Sequence, residues 1–114
     1  MKIAVIGSRG LEIKNIEKYL PKETTEIVSG GAKGIDKCAE EYARSKGLAI
    51  KIFLPNYERY GKGAPLKRNI EIIEYADAVI ALWDGRSRGT KYVIDQCKKI
   101  NKPINIYIIE DNIE

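Results

Sequence analysis

The 114-residue, 12.8 kDa chain is 44% hydrophobic and 32% charged, proportions that exclude wholesale disorder and fibrous repeats and fit a single core. Histidine is absent and Cys38 and Cys97 are the only thiols, which removes histidine triads, histidine zinc sites and CxxC metal knuckles and leaves carboxylates, Lys, Arg, Tyr and hydroxyls for any chemistry. The net charge of +4 sets 20 Lys and Arg against 16 Asp and Glu, with three acids in the last five residues, a balance compatible both with an anionic partner and with a lysine-rich solvated surface.

The chain alternates short apolar runs with helical periodicity. Residues 2–6 (KIAVI) are brief and β-branched and end at Gly7, so they read as a buried strand. Ile13, Ile16 and Leu20 then recur at helical spacing up to Pro21, which predicts a first helix over residues 11–20. Residues 26–29 form a second strand entering Gly30-Gly31. Ile35, Cys38, Ala39, Tyr42 and Ala43 share one helical face that stops at Gly47. Residues 49–54 give a third strand and residues 56–65, with Gly61, Gly63 and flanking prolines, a loop. A third helix follows through Leu66, Ile70, Ile73 and Ala76, a fourth strand over residues 78–83, a fourth helix through Val93, Cys97 and Ile100, and a last strand over residues 104–109. Both cysteines fall on apolar helix faces and read as reduced core residues.

Five apolar strands separated by four helices predict an α/β fold, a Rossmann-like three-layer α/β/α sandwich on a five-stranded, mostly parallel sheet. The natural strand order is 3-2-1-4-5, which opens a crevice where strands 1 and 4 diverge. The whole chain, 1–114, reads as one domain with an acidic tail over residues 110–114. No apolar run approaches the ~20 residues of a spanning helix, and the opening residues lack the pattern of a signal peptide. The expected compartment is therefore the cytoplasm, with no membrane partner.

Ligands of open parallel sheets bind beyond the carboxyl ends of the strands. Three loops there are unusual: Gly7-Ser8-Arg9-Gly10, then Ser29-Gly30-Gly31-Ala32-Lys33-Gly34, then Trp83-Asp84-Gly85-Arg86-Ser87-Arg88-Gly89-Thr90. They hold seven of the ten glycines, each loop opening onto a helix, an arrangement suited to phosphate because bare amides and a helix N-terminus both favour an anion. Glycines that only tighten βα turns give the same pattern. The arginines separate these readings: of six, Arg9, Arg86 and Arg88 lie in the loops and Arg68 opens the third helix, and arginine is the residue suited to bidentate phosphate contact. Neither GxGxxG nor GxxxxGK[ST] is present, which disfavours a dinucleotide dehydrogenase and a P-loop ATPase. Asp36, after the second glycine loop, is placed to cap its helix or to contact a ribose. Trp83, Tyr57 and Tyr60 are the aromatic rings near these loops, as stacking platforms or as packing.

The ordered motifs GSR, SGGAKGID, PLKRN, ADAVIALWDG and SRGT resemble the SLOG superfamily of Rossmann-like nucleotide-binding domains over nearly the whole chain, and within it the small YspA-like members and the central domain of DprA (Smf). The resemblance implies a ligand of ADP-ribose, NAD or nucleoside-phosphate type. Amides of Gly7, Ser8, Gly30, Gly31, Gly89 and Thr90 would then cradle phosphate, with charge from Arg9, Lys33, Arg68 and Arg88. Ser8, Ser29 and Thr90 would supply hydroxyls, Asn69 a ribose or base contact, Trp83 a stacking ring, and Asp84 a further polar contact. It also implies a homodimer. Two family alternatives stand beside this one: DprA-like binding of single-stranded DNA, and hydrolysis of nucleoside monophosphates to base and ribose phosphate. The hydrolases carry PGGxGTxxE, and Val93 stands where that glutamate would be, so the expectation is binding rather than catalysis, with no certain cofactor.

Overall fold

The first strand sets the layering. In β1 (Lys2–Gly7), Ile3 and Val5 face one side of the sheet and Ala4 and Ile6 the other, all four buried, as a central parallel strand requires. The structure, a computed structural model, describes residues 1–109; the acidic tail expected over residues 110–114 lies outside the described residues. With β2 (Glu26–Ser29), β3 (Ala49–Ile52), β4 (Ala78–Trp83) and β5 (Ile104–Ile108), β1 forms an all-parallel sheet in the order 3-2-1-4-5. Ala4 lies opposite Val28 on one side and Val79 on the other. The chain thus runs outward from β1 to β3 and crosses back to β4, producing the expected switch point between β1 and β4.

One face is covered by α1 (Ile35–Lys46), whose Ile35, Ala39 and Ala43 pack on Ile3, Val5, Ile27, Ile80 and Leu82. Gly47 ends this helix in the left-handed conformation at φ 70°, its N–H returning to the last carbonyls. The other face is covered by α3 (Ala64–Tyr75) and α4 (Arg88–Lys99), with Ile72, Ile73, Ala76, Val93 and Cys97 against Ala4, Ile6, Val28 and Val79. This is the α/β/α sandwich, built on three long helices and one single-turn helix, α2 (Tyr57–Tyr60). Among the described residues no helix is long and apolar enough to cross a membrane.

The helix expected over residues 11–20 does not form. Only Ile16–Tyr19 close a 3-10 turn, and the residues before it are irregular. Gly10, Asn15 and Pro21 leave too short a run to repay helix nucleation, while Leu11 and Ile16 still reach the core without a helix. Conversely, the loop expected over residues 56–65 contains helical turns. Asn56 Oδ1 accepts the Arg59 N–H at 3.1 Å and starts α2, Gly61–Gly63 make a 3-10 turn, and α3 begins at Ala64.

Two glycines fix the end of β1 against the start of α1. A Cβ on Gly7 would stand 2.3 Å from Ile35 Cγ1 and 2.5 Å from its Cβ, and one on Gly34, at φ +73°, would stand 2.4 Å from the Arg9 carbonyl oxygen. Gly89, by contrast, faces open space. Gly7→Ala is therefore expected to destabilise the fold by about 1–3 kcal/mol through overpacking, and Gly89→Ala to leave stability within about 0.5 kcal/mol or raise it, since alanine favours the helix. Urea denaturation of the two variants checks the contrast.

Candidate functional site

Beyond β1 the chain stays tied to β4. The Ser8 N–H donates to the Leu82 carbonyl (3.3 Å) and the Asp84 N–H donates to Ser8 Oγ (3.2 Å). The strands part just above, and a cleft of 430 Å³ opens there. Its walls come from the β1 loop, the β2 loop with Asp36 of α1, and the N-terminal turns of α3 and α4. Two helix N-termini thus converge on one cavity, each contributing a partial positive charge.

The loop before α4 is held by its own polar groups. Asp84 Oδ1 accepts the N–H groups of Arg86 and Ser87, both at 2.8 Å, and these bonds hold the Asp84 carboxyl below its ordinary range. Ser87 caps α4 by accepting the Thr90 N–H at 3.5 Å. The first-turn amides of Arg88 and Gly89 have no acceptor within the helix.

Arg68, on the second turn of α3, is 8% exposed. Its Nη1 donates to the Gly30 carbonyl at 2.5 Å and its Nε to Asn69 Oδ1 at 2.9 Å. Only glycine at position 30 admits this arrangement, since a Cβ there would lie 2.8 Å from Arg68 Nη1 and 3.1 Å from Asp36 Oδ2. Asp36, itself 7% exposed, accepts the Ala32 N–H at 3.1 Å. Arg68 and Asp36 feel each other's charge yet form no direct ion pair. Burial raises the Asp36 carboxyl despite Arg68 and the Ala32 N–H, and burial lowers the Arg68 guanidinium, with Arg9 adding to the effect against Asp36. Desolvation thus exceeds mutual attraction at both groups. Arg68 remains cationic at any physiological pH, and its direct hydrogen-bond partners beside the cavity are neutral oxygens.

Most of the residues expected at the site meet here. Gly7, Ser8, Arg9 and Gly30 line the cleft, as do Arg68, Asn69, Asp84, Gly89 and Thr90. Ser29, Gly31, Lys33, Trp83 and Arg88 do not. Ser29 is buried, donating to Glu40 Oε2 at 2.7 Å and accepting the Gly31 N–H at 3.1 Å, while Gly31 abuts Leu54. Trp83 donates its indole N–H to the Ser87 carbonyl at 3.0 Å, Arg88 is exposed, and Lys33 lines a separate cavity. Of the six amides expected to face phosphate, those of Ser8, Gly31 and Thr90 are engaged within the chain, and that of Gly30 is turned towards the Asp36 carboxylate. Tyr57 and Tyr60 lie outside this cleft, and Val93 is fully buried against the sheet.

The cleft also uses residues absent from the expected set. Asp36 was legible as the acid of the GID motif, with capping the favoured reading; its carboxylate accepts the Ala32 N–H of the preceding loop and lines the cleft. Leu66, placed by spacing on the buried face of its helix, is 45% exposed and lines the cleft wall. Ser87 carries the usual signal of a helix cap three residues before Thr90. Comparisons of the chain with protein-family models, with curated proteins and with solved structures give no match.

Because burial raises the Asp36 value, the stability associated with its protonated form is fully present below the unfolded-state value of 3.8 and is lost as pH rises through the higher folded-state value. Asp36→Asn keeps a neutral side chain throughout. Urea midpoints of the two proteins are expected to move in favour of Asp36→Asn between about pH 4 and pH 7; movement in favour of the wild type would reverse the assigned sign.

Proposed function

We propose that this chain is a SLOG-type binding domain that takes a nucleotide or nucleotide-derived phosphate ligand, of ADP-ribose, NAD or nucleoside-phosphate type, in the cleft between β1 and β4. The observation that carries this reading is the buried guanidinium of Arg68, whose direct partners are a carbonyl and an amide oxygen and no carboxylate, with exposed Arg9 on the same cavity. A phosphate group supplies the missing negative charge, and the N-terminal turns of α3 and α4 favour it further. The volume of 430 Å³ lies within the range of about 300–1,000 Å³ typical of small-molecule sites.

In this reading Arg9 and Arg68 neutralise the phosphate, Gly89, which faces open space, allows close approach of the backbone, and Asn69 reads the ribose or base. Asp84 is a loop-holding residue rather than a ligand contact. Binding takes precedence over hydrolysis because Val93 is a core residue and Asp84 is committed to two backbone amides. The domain acts in the cytoplasm, as a homodimer, the latter checked by sedimentation.

Calorimetric titration with AMP and ADP-ribose tests the assignment. Arg9→Ala is expected to weaken binding about 10- to 100-fold, corresponding to a charge-assisted hydrogen bond of about 1.5–3 kcal/mol. Arg68→Lys, which keeps the charge and loses the fork, is expected to weaken binding as well, and Arg88→Ala to change it less than Arg9→Ala. A shallow dependence of affinity on salt fits one small anion; tight oligo-dT binding with a steep slope would instead assign the surface to single-stranded DNA.

A further inference from the structure

A second, larger cavity lies against the first. It measures 680 Å³ and shares Arg9 and Gly10 with the β1–β4 cleft. The ridge between them is the β1 loop itself, pressed against Gly34 so closely that a Cβ there would meet the Arg9 carbonyl at 2.4 Å. Gly10, on that ridge, is exposed and faces open space. The far wall is the irregular segment that stands where a first helix was expected.

The lining of this cavity is cationic and carries an aromatic ring. Among the described residues, Arg9, Lys14, Lys18 and Lys33 line it with Glu12 as the only acid, and none of the four cations makes an ion pair. Tyr19 is half-buried there, held edge-on by Tyr107 at 4.8 Å between centroids, with Lys18 Nζ 5.1 Å from its ring centre. A fixed ring beside ammonium groups that make no ion pair among the described residues suits a nucleobase or ribose next to a phosphate. Each cavity alone has the size of one small-molecule site, so a mononucleotide in the first leaves the second empty.

We propose that the larger cavity is a second subsite of the same site, and that the ligand is a dinucleotide-type molecule whose pyrophosphate crosses the ridge at Arg9 and Gly10, one nucleoside in each cavity. This rests on the reading of the β1–β4 cleft as a nucleotide site and narrows its ligand class. Arg9 serves both halves because its side chain borders both cavities.

The test compares AMP with diadenosine diphosphate by calorimetry at about 150 mM salt, where distant charges are screened, using the wild type and the double variant Lys14→Gln/Lys18→Gln, whose side chains border the second cavity and not the β1–β4 cleft. The dinucleotide is expected to bind at least about tenfold more tightly than AMP. The double variant is expected to lose that advantage while its AMP affinity stays within about twofold, its fold checked by circular dichroism. Equal affinities for the two ligands in the wild type, or equal weakening of both in the variant, would overturn the second subsite while AMP binding through Arg9 still upheld the first. Failure of both ligands to bind would overturn the two together.

Discussion

The organisation of this protein depends on two missing side chains. Gly7 and Gly34 let the end of β1 and the start of α1 approach within distances that no Cβ would allow, and this contact fixes where the β1 loop leaves the sheet. Ser8 is then tied back to β4 at Leu82 and Asp84, so the loop cannot swing away from the switch point. Arg9 and Gly10 are carried to the crest between two cavities as a result. The glycines of this loop system thus act mainly by admitting other parts of the protein. At Gly30 the incoming groups are Arg68 and Asp36, which a methyl group would displace.

Electrostatics follow from that packing. Bringing Arg68 over Gly30 removes a guanidinium from water with one carbonyl and one amide oxygen as direct partners. Asp36 is near enough to be felt but does not pair directly, and burial prevails over attraction for each. Such a pair costs stability when left alone and gains when an anion completes it. The convergence of the α3 and α4 N-terminal turns on the same volume points in the same direction. The fold tolerates this local expense because two well-packed apolar layers, around Ile3, Val5 and Leu82 on one face and Ala4, Ile72 and Val93 on the other, carry the rest.

Much of this was legible in the sequence. The strands are short runs rich in Ile and Val, and their count and the alternation with helices led to the 3-2-1-4-5 sheet. The arginines and glycines at the strand ends marked the cleft. What failed did so for physical reasons. Ile13, Ile16 and Leu20 fit a helical period, but an irregular segment buries Ile16 and half-buries Ile13 and Leu20, and periodicity cannot tell the two apart when Gly10 and Pro21 confine the run. Glycine-rich loops looked like phosphate cradles, yet the amides of Ser8, Gly31 and Thr90 are spent on internal bonds, which only the path of the backbone reveals. Lys33 and Arg9 are far apart in sequence, and their meeting at one cavity depends on the close contact at Gly34.

The central claim is that an anionic nucleotide sits over the β1–β4 switch point against Arg9 and Arg68. Amide chemical shifts of isotopically labelled protein titrated with AMP test it most directly, because they report place as well as binding. The account predicts saturable shifts concentrated in Gly7 to Gly10, Gly30 and Ser87 to Thr90, greatly reduced in Arg9→Ala. Saturable shifts centred away from the carboxyl ends of the strands, or no shifts at millimolar AMP, would contradict it.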